Sequence, residues 1–194
     1  MRNVAPILLA CALTLAAQKP LIEGDPSSPV RVLIYEDLQC PDCAAFRQMM
    51  DTQLIPRFQG AVAFEHRDFP LNKHAWARPA AVAARYFETI SSPLAVEFRK
   101  ATMAAQEQIT PENLGEHVAA FARGHQVNPA QAVAALNDAA LNARVEADYQ
   151  EGVARGVART PTVLVNGEPF IETFPAAAIM AHIERELAAA KPRP

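Results

Sequence analysis

The chain is poor in several things at once. It has 3 cysteines and 7 glycines in 194 residues, and aromatic residues make up 7%. Three cysteines are too few for a scaffold held by several disulfides, and so little glycine excludes collagen-like or glycine-rich low-complexity chains. No internal repeat is visible, which sets aside solenoids and propellers. Lysine and arginine never form a run long enough to track a phosphate backbone, and the net charge is −3, so nucleic acid is not an expected partner. What the chain does have is 51% hydrophobic and 20% charged residues, interspersed. That is the balance of one globular domain with a sizeable core, and the many alanines favour helices.

The first 17 residues read as a signal peptide. Arg2 supplies a positive start, Val4 to Ala17 is almost wholly apolar, and Ala16 and Ala17 are small enough to precede a cleavage site. At about 14 residues the apolar stretch is short for a membrane span, and no later stretch is longer. Leu8-Leu9-Ala10-Cys11 also resembles a lipoprotein signal, which would place a lipid on Cys11. The expected location is therefore periplasmic or secreted, with a lipid anchor at Cys11 as a variant. Residues 18–29 are polar and punctuated by proline, and are read as a linker before a domain spanning 30–190.

Within that domain Val30 to Tyr35 is a short β-branched and apolar run, the pattern of a buried strand. A helix is predicted from Pro41, a residue suited to the first helical position, with Phe46, Met49, Met50 and Leu54 on one face until Pro56 ends or kinks it. Ala61 to His66 is a second strand. From about 73 to 156 the pattern is helical, with about four helices begun by Ser92-Pro93, Thr110-Pro111 and Asn128-Pro129. Pro161 to Val165 and Pro169 to Ile171 then flank Asn166-Gly167, a strong hairpin signal, and Pro175 to Ala190 is an amphipathic helix.

Cys40 and Cys43 are the only cysteines past the leader. So close a pair restrains the unfolded chain very little and cannot serve as a stabilising framework. Three readings compete: a zinc site, a chance pair of thiols, and a redox pair. Zinc normally needs a second ligand pair, and none of the five histidines has ligand spacing to another. The redox reading is favoured because the pair follows a strand and opens a helix. One helical turn puts both sulfurs on one face, and the first sees free N–H groups and the positive end of the helix dipole. Cys40 is accordingly the nucleophile and Cys43 the resolving cysteine. Pro41 stiffens the start, and Asp42 should raise the thiol pKa. Glu36 and Asp37 would push the same way or act in proton transfer, against the alternative that they are solvated loop acids. His66 and His74 are expected to be structural, and Trp76, Tyr86 and Phe87 to be core.

Glu36-Asp37-Leu38-Gln39-Cys40-Pro41-Asp42-Cys43 after a strand resembles the active-site segment of DsbA-like members of the thioredoxin superfamily. Thr160-Pro161-Thr162 is similar to that family's second signature, and Arg67 to Leu71 to its strand end before a helical insertion. The resemblance implies an α/β, thioredoxin-like fold with an all-helical insertion between a βαβ half and a C-terminal ββα half. It implies that Pro161 is cis, and that Thr160 offers backbone groups to an extended substrate. Strongly oxidising relatives carry His where this chain has Asp42, and the acid usual six positions before the first cysteine is replaced by Ile34.

The expected function is exchange of disulfides with unfolded or thiol-containing exported proteins, in the oxidase direction. It would need no cofactor beyond the Cys40–Cys43 disulfide, and a membrane or soluble redox partner would restore the pair. The chain is expected to act as a monomer. The rival reading is a thioredoxin-like module that holds copper on the same two thiolates.

Overall fold

The computed structural model describes residues 19–172 and 175–190. The expected signal peptide, Cys11 included, lies outside the described residues. Five strands form one sheet in the order β1-β3-β2-β4-β5. They are β1 (Leu21–Gly24), β2 (Arg31–Glu36), β3 (Ala63–Asp68), β4 (Thr162–Val165) and β5 (Glu168–Ile171). β2 runs parallel to β3 and antiparallel to β4, with Ile34 opposite both His66 and Val163. β2 is paired on both edges, and Val32, Ile34 and Tyr35 are fully buried, as its apolar run predicts.

β1 corrects the reading of 18–29 as a linker. Leu21 to Gly24 pair antiparallel with β3, from Leu21 opposite His66 to Gly24 opposite Ala63. The strand is an edge of four residues between Pro20 and Pro26, and its burial fades from Leu21 to an exposed Gly24. Too few side chains face inward to leave an alternating pattern.

α1 (Pro41–Met49) begins where predicted, with Cys40 at the N-cap in extended conformation and Pro41 inside the first turn. Pro56 does not end it. A π-helical turn, Met50–Leu54, widens the helix just ahead of the proline, and α2 (Ile55–Phe58) continues. The wider turn absorbs the clash and missing N–H that proline brings to a helix interior.

The block between β3 and β4 is wholly helical, with five α-helices where about four were expected. These are α3 (Ala77–Ile90), α4 (Ser92–Ala104), α5 (Leu114–Gly124), α6 (Pro129–Ala134) and α7 (Ala139–Ala154). Asn128 caps α6 through Oδ1, at 3.0 Å from the Ala130 N–H. The α4 cap is Ser91, one residue before the pair singled out, and accepts from Leu94 N–H. Thr110 and Asn113 bond reciprocally, so α5 starts three residues after Pro111. α8 (Ala176–Ala190) closes the fold. In the β4–β5 turn Asn166 and Gly167 both take positive φ, 47° and 99°.

Apolar packing divides into layers. Val32, Ile34, Phe64 and Val163 of the sheet join Phe46 and Met50 of the first helical segment and Ile179 and Ile183 of α8. A second cluster belongs to the insertion: Trp76, Phe87, Phe98, Leu114 and Val118, together with Leu38, Cys40 and Cys43. Each large side chain buried this way contributes about 1.5–3 kcal/mol. Trp76 and Phe87 are core residues, as expected, and Tyr86 packs against the same cluster. α7 lies close on the sheet layer at Gly152, where a Cβ would stand 2.7 Å from the Phe69 ring. The cysteine pair thus sits at a seam, carried by the strand–helix half and packed into the helical half.

Candidate active site

Cys40 and Cys43 are both free thiols and both buried. The loop that places them is short and held by several hydrogen bonds. Cys40 N–H donates to the Asp37 carbonyl at 3.1 Å, and the Cys40 carbonyl accepts from Ala44 N–H, the first bond of α1. The Cys40 sulfur lies 3.3 Å from the Thr160 carbonyl oxygen, across the cis Thr160–Pro161 peptide. The structure therefore brings the two predicted segments together although 120 positions separate them.

The two sulfurs differ sharply. The Cys40 thiol is lowered to about 6. The Cys43 thiol, as hydrogen-bond partner, is the largest cause; burial works against it, and the backbone N–H groups of Cys43 and Asp42 add to the lowering. The Thr160 carbonyl accepts from the Cys40 thiol, and Thr160 adds to the lowering; its hydroxyl is buried and makes no hydrogen bond. The net direction is downward, so the rise expected from Asp42 does not prevail. The Asp42 side chain is exposed in solvent, which screens it. Cys43 moves the other way: burial pushes its thiol well above the usual range, and the thiolate beside it and the charge of Glu36 add to this.

Cys40 and Asp42 line a cleft of about 430 Å³ with Leu71, Lys73, Arg159 and Thr160. Asp42 and Pro41 are exposed at its rim, and Thr160 is 3% exposed.

Glu36 and Asp37 are not solvated loop acids. Glu36 is buried at the end of β2, and its Oε1 accepts from His66 Nδ1 and from Arg99, both at 2.9 Å. Burial alone would raise its pKa, but the His66 and Arg99 charges outweigh that and hold it below the usual carboxylate range. His66 is wholly buried between two acids, with Nε2 2.9 Å from Glu23 of β1. Its charged form is favoured by Glu36 and Glu23 against the opposing effect of burial. The chain of charges runs on through Arg99 to Asp68, and from Asp68 to Arg85 and Asp148. At its other end Glu23 meets Arg47, which also meets Asp51.

This ladder of buried ion pairs was missed in the sequence reading, and so was the role of Gln106. Gln106 Nε2 donates to the carbonyls of Leu38 and Cys40 from the turn after α4. The only sequence signal for the ladder was charged residues inside otherwise apolar strands, notably Glu65-His66-Arg67-Asp68. Met49 and Met50 pack with the sheet and α8, as their spacing suggested. Among the described residues no group of three or more His, Cys, Asp or Glu is placed to hold a metal ion.

A family profile described as Thioredoxin matches residues 16–185. No curated protein sequence matches the chain. Among solved structures, alpha-DsbA1 of Wolbachia pipientis is similar with a TM-score of 0.77 at 18% identity, over 92% of this chain and 96% of that one. Oxidised BdbD from Bacillus subtilis is similar with a TM-score of 0.76 at 22% identity, over 87% and 93%. The thiol-disulfide exchange protein alpha-DsbA2 from Wolbachia pipientis gives 0.72 at 17% identity, over 85% and 86%. At these identities the likeness is one of fold.

Proposed function

The chain belongs to the thioredoxin family, and on that premise we propose that it is an exported thiol–disulfide oxidoreductase acting on protein substrates through Cys40 and Cys43, in the oxidising direction. The asymmetry of the two sulfurs carries the reading. One thiol is lowered to about 6 at the wall of an open cleft, and its neighbour is buried and pushed upward. A substrate thiolate attacks the Cys40 sulfur of the oxidised pair, and the Cys40–Cys43 bond breaks with its electron pair going to Cys43. The substrate's second thiolate then attacks its own sulfur in the mixed disulfide and releases Cys40 as thiolate. Two electrons have passed from substrate to protein. A sulfur of low pKa leaves readily, which favours this direction.

Thr160 and Pro161 form the wall against which a substrate chain would lie, with Thr160 offering backbone groups as an added strand would find them. A membrane or soluble partner of higher potential must take the two electrons back. The thiol-disulfide exchange named for the Wolbachia neighbour supports the reaction class. Export rests on the leader-like residues 1–17, and a lipid at Cys11 on the same segment.

The copper-module alternative draws no support from Met49 and Met50, whose packing in the sheet–α8 cluster commits them elsewhere. Equilibrating the purified protein in glutathione buffers, with Cys43→Ser as control, tests the proposal. The expected potential lies nearer the roughly −120 mV of an oxidant than the roughly −270 mV of thioredoxin. A value at the low end reverses the direction. Absence of any reversible couple removes the enzyme reading, and copper stoichiometry, lost on Cys40→Ser, becomes the question.

A further inference from the structure

Asp37 touches both cysteines through its main chain. Its backbone N–H donates to the Cys43 sulfur at 3.4 Å, and its carbonyl receives the Cys40 N–H at 3.1 Å. The carboxylate itself is fully buried. Oδ1 accepts from Gln39 N–H at 2.7 Å, and Oδ2 from Leu71 N–H and His74 Nδ1, each at 2.7 Å. Leu71 lines the same cleft as Cys40 and Thr160. One acid therefore fastens the loop before Cys40 to a segment that lines the cleft, while its own main chain meets both cysteines.

We propose that Asp37 is a positioning residue for the exchange step: its buried, triply bonded carboxylate holds its own N–H on the Cys43 sulfur. The inference rests on the exchange reaction proposed above. In the step concerned, the Cys43 thiolate attacks the Cys40 sulfur of a mixed disulfide. The Cys43–Cys40 bond forms, the bond from Cys40 to the partner sulfur breaks, and the electron pair leaves on that sulfur, which takes up a proton. The cysteine pair loses two electrons and the partner disulfide gains them. In reverse, Cys43 departs as the thiolate. Either way the Cys43 sulfur carries full negative charge at one end of the step, beside a donor that cannot turn away. Burial and the charge of Glu36 both oppose that thiolate, and the Asp37 N–H is the group that favours it.

A carboxylate is required because all three partners are donors. In Asp37→Asn one oxygen becomes an NH₂ that faces an N–H, so at least one tie is replaced by a clash of donors. The test mixes reduced protein with oxidised glutathione, quenches in acid at intervals and weighs the Cys40–glutathione adduct. Asp37→Asn is expected to slow resolution of the adduct about tenfold, and His74→Ala, which removes a single tie from a partly exposed loop, about threefold. With Cys43→Ser added to each, Cys40 alkylation in both variants should stay within about twofold of the Cys43→Ser protein itself, as no Cys43 thiol is then present to be held. Resolution at the parent rate overturns the proposal, and so does a parallel slowing of Cys40 alkylation, which would mark general loosening. If Asp37→Asn fails to fold, His74→Ala decides alone. A parent protein that forms no resolvable adduct refutes the exchange reaction itself, whereas a competent parent with unaffected variants refutes only the role of Asp37.

Discussion

Gln106 Nε2 donates to the Cys40 carbonyl at 3.0 Å and to the Leu38 carbonyl at 2.8 Å, so the helical insertion grips the backbone of Cys40 directly. The Cys40 carbonyl has a second donor in Ala44 N–H, whereas Leu38 is itself buried. Gln106→Ala is expected to destabilise the reduced protein by about 1–3 kcal/mol, the cost of a buried carbonyl left without its partner. Urea denaturation measures this, and a midpoint equal to the parent's would show that the contact contributes nothing.

The lowered Cys40 thiol has a signature in pH. Alkylation by iodoacetamide should rise to half its plateau near pH 6. Below that it should fall about tenfold per pH unit as the thiolate is lost. Because the Cys43 thiol is the largest cause of the lowering, Cys43→Ala should move the midpoint upward. Stability has the corresponding sign. An unfolded cysteine titrates near about 8.5, so between that value and about 6 the folded reduced protein has shed a proton that the unfolded chain retains. Stability from this group therefore increases with pH across that window and disappears as pH falls through 6. Cys43, shifted upward, acts oppositely and only above the window.

Arg99 bridges Glu36 and Asp68, and all three side chains are nearly inaccessible. Arg99→Leu should cost about 3 kcal/mol, since it takes one cation from two buried carboxylates and leaves Glu36 only His66 and Asp68 only Arg85. Double replacement of Arg99 and Asp68 by apolar residues should recover part of that. Guanidinium denaturation of the single and double variants checks both statements, and additive losses would contradict the idea of a ladder.

How much of this was legible beforehand depended on how local the signal was. The cysteine pair, its strand and its helix occupy a single stretch of chain, and i, i+3 spacing with Pro41 at N1 states their geometry outright. The Asn166-Gly167 turn is equally local, and both residues take the positive φ that the dipeptide predicts. The approach of Thr160 to Cys40 is not local, and was foreseen only through resemblance to known relatives. The ladder through Glu23, His66, Glu36, Arg99 and Asp68 uses residues from three strands and a helix. No spacing rule joins such positions, and single charges in a sequence read by default as solvent-facing. For Glu36 and Asp37 that default is the reading that falls, since both are buried. Pro56 reads as an end or a kink because a proline-induced clash has no visible remedy in sequence, and the π turn that relieves it has no composition of its own.

The short strand β1 changes how the protein should be handled at the bench. Composition places the domain boundary at Val30, and a truncation there would look harmless. It would strip β3 of one of its two neighbours, leaving a row of unsatisfied N–H and C=O groups along one edge of a strand six residues long. It would also remove Glu23, leaving Arg47 and His66 each short of a counter-charge beneath the cysteines. Bare strand edges of that kind recruit other chains. Such a fragment would be recovered as aggregate, and its failure would be easily misattributed to the cysteine pair.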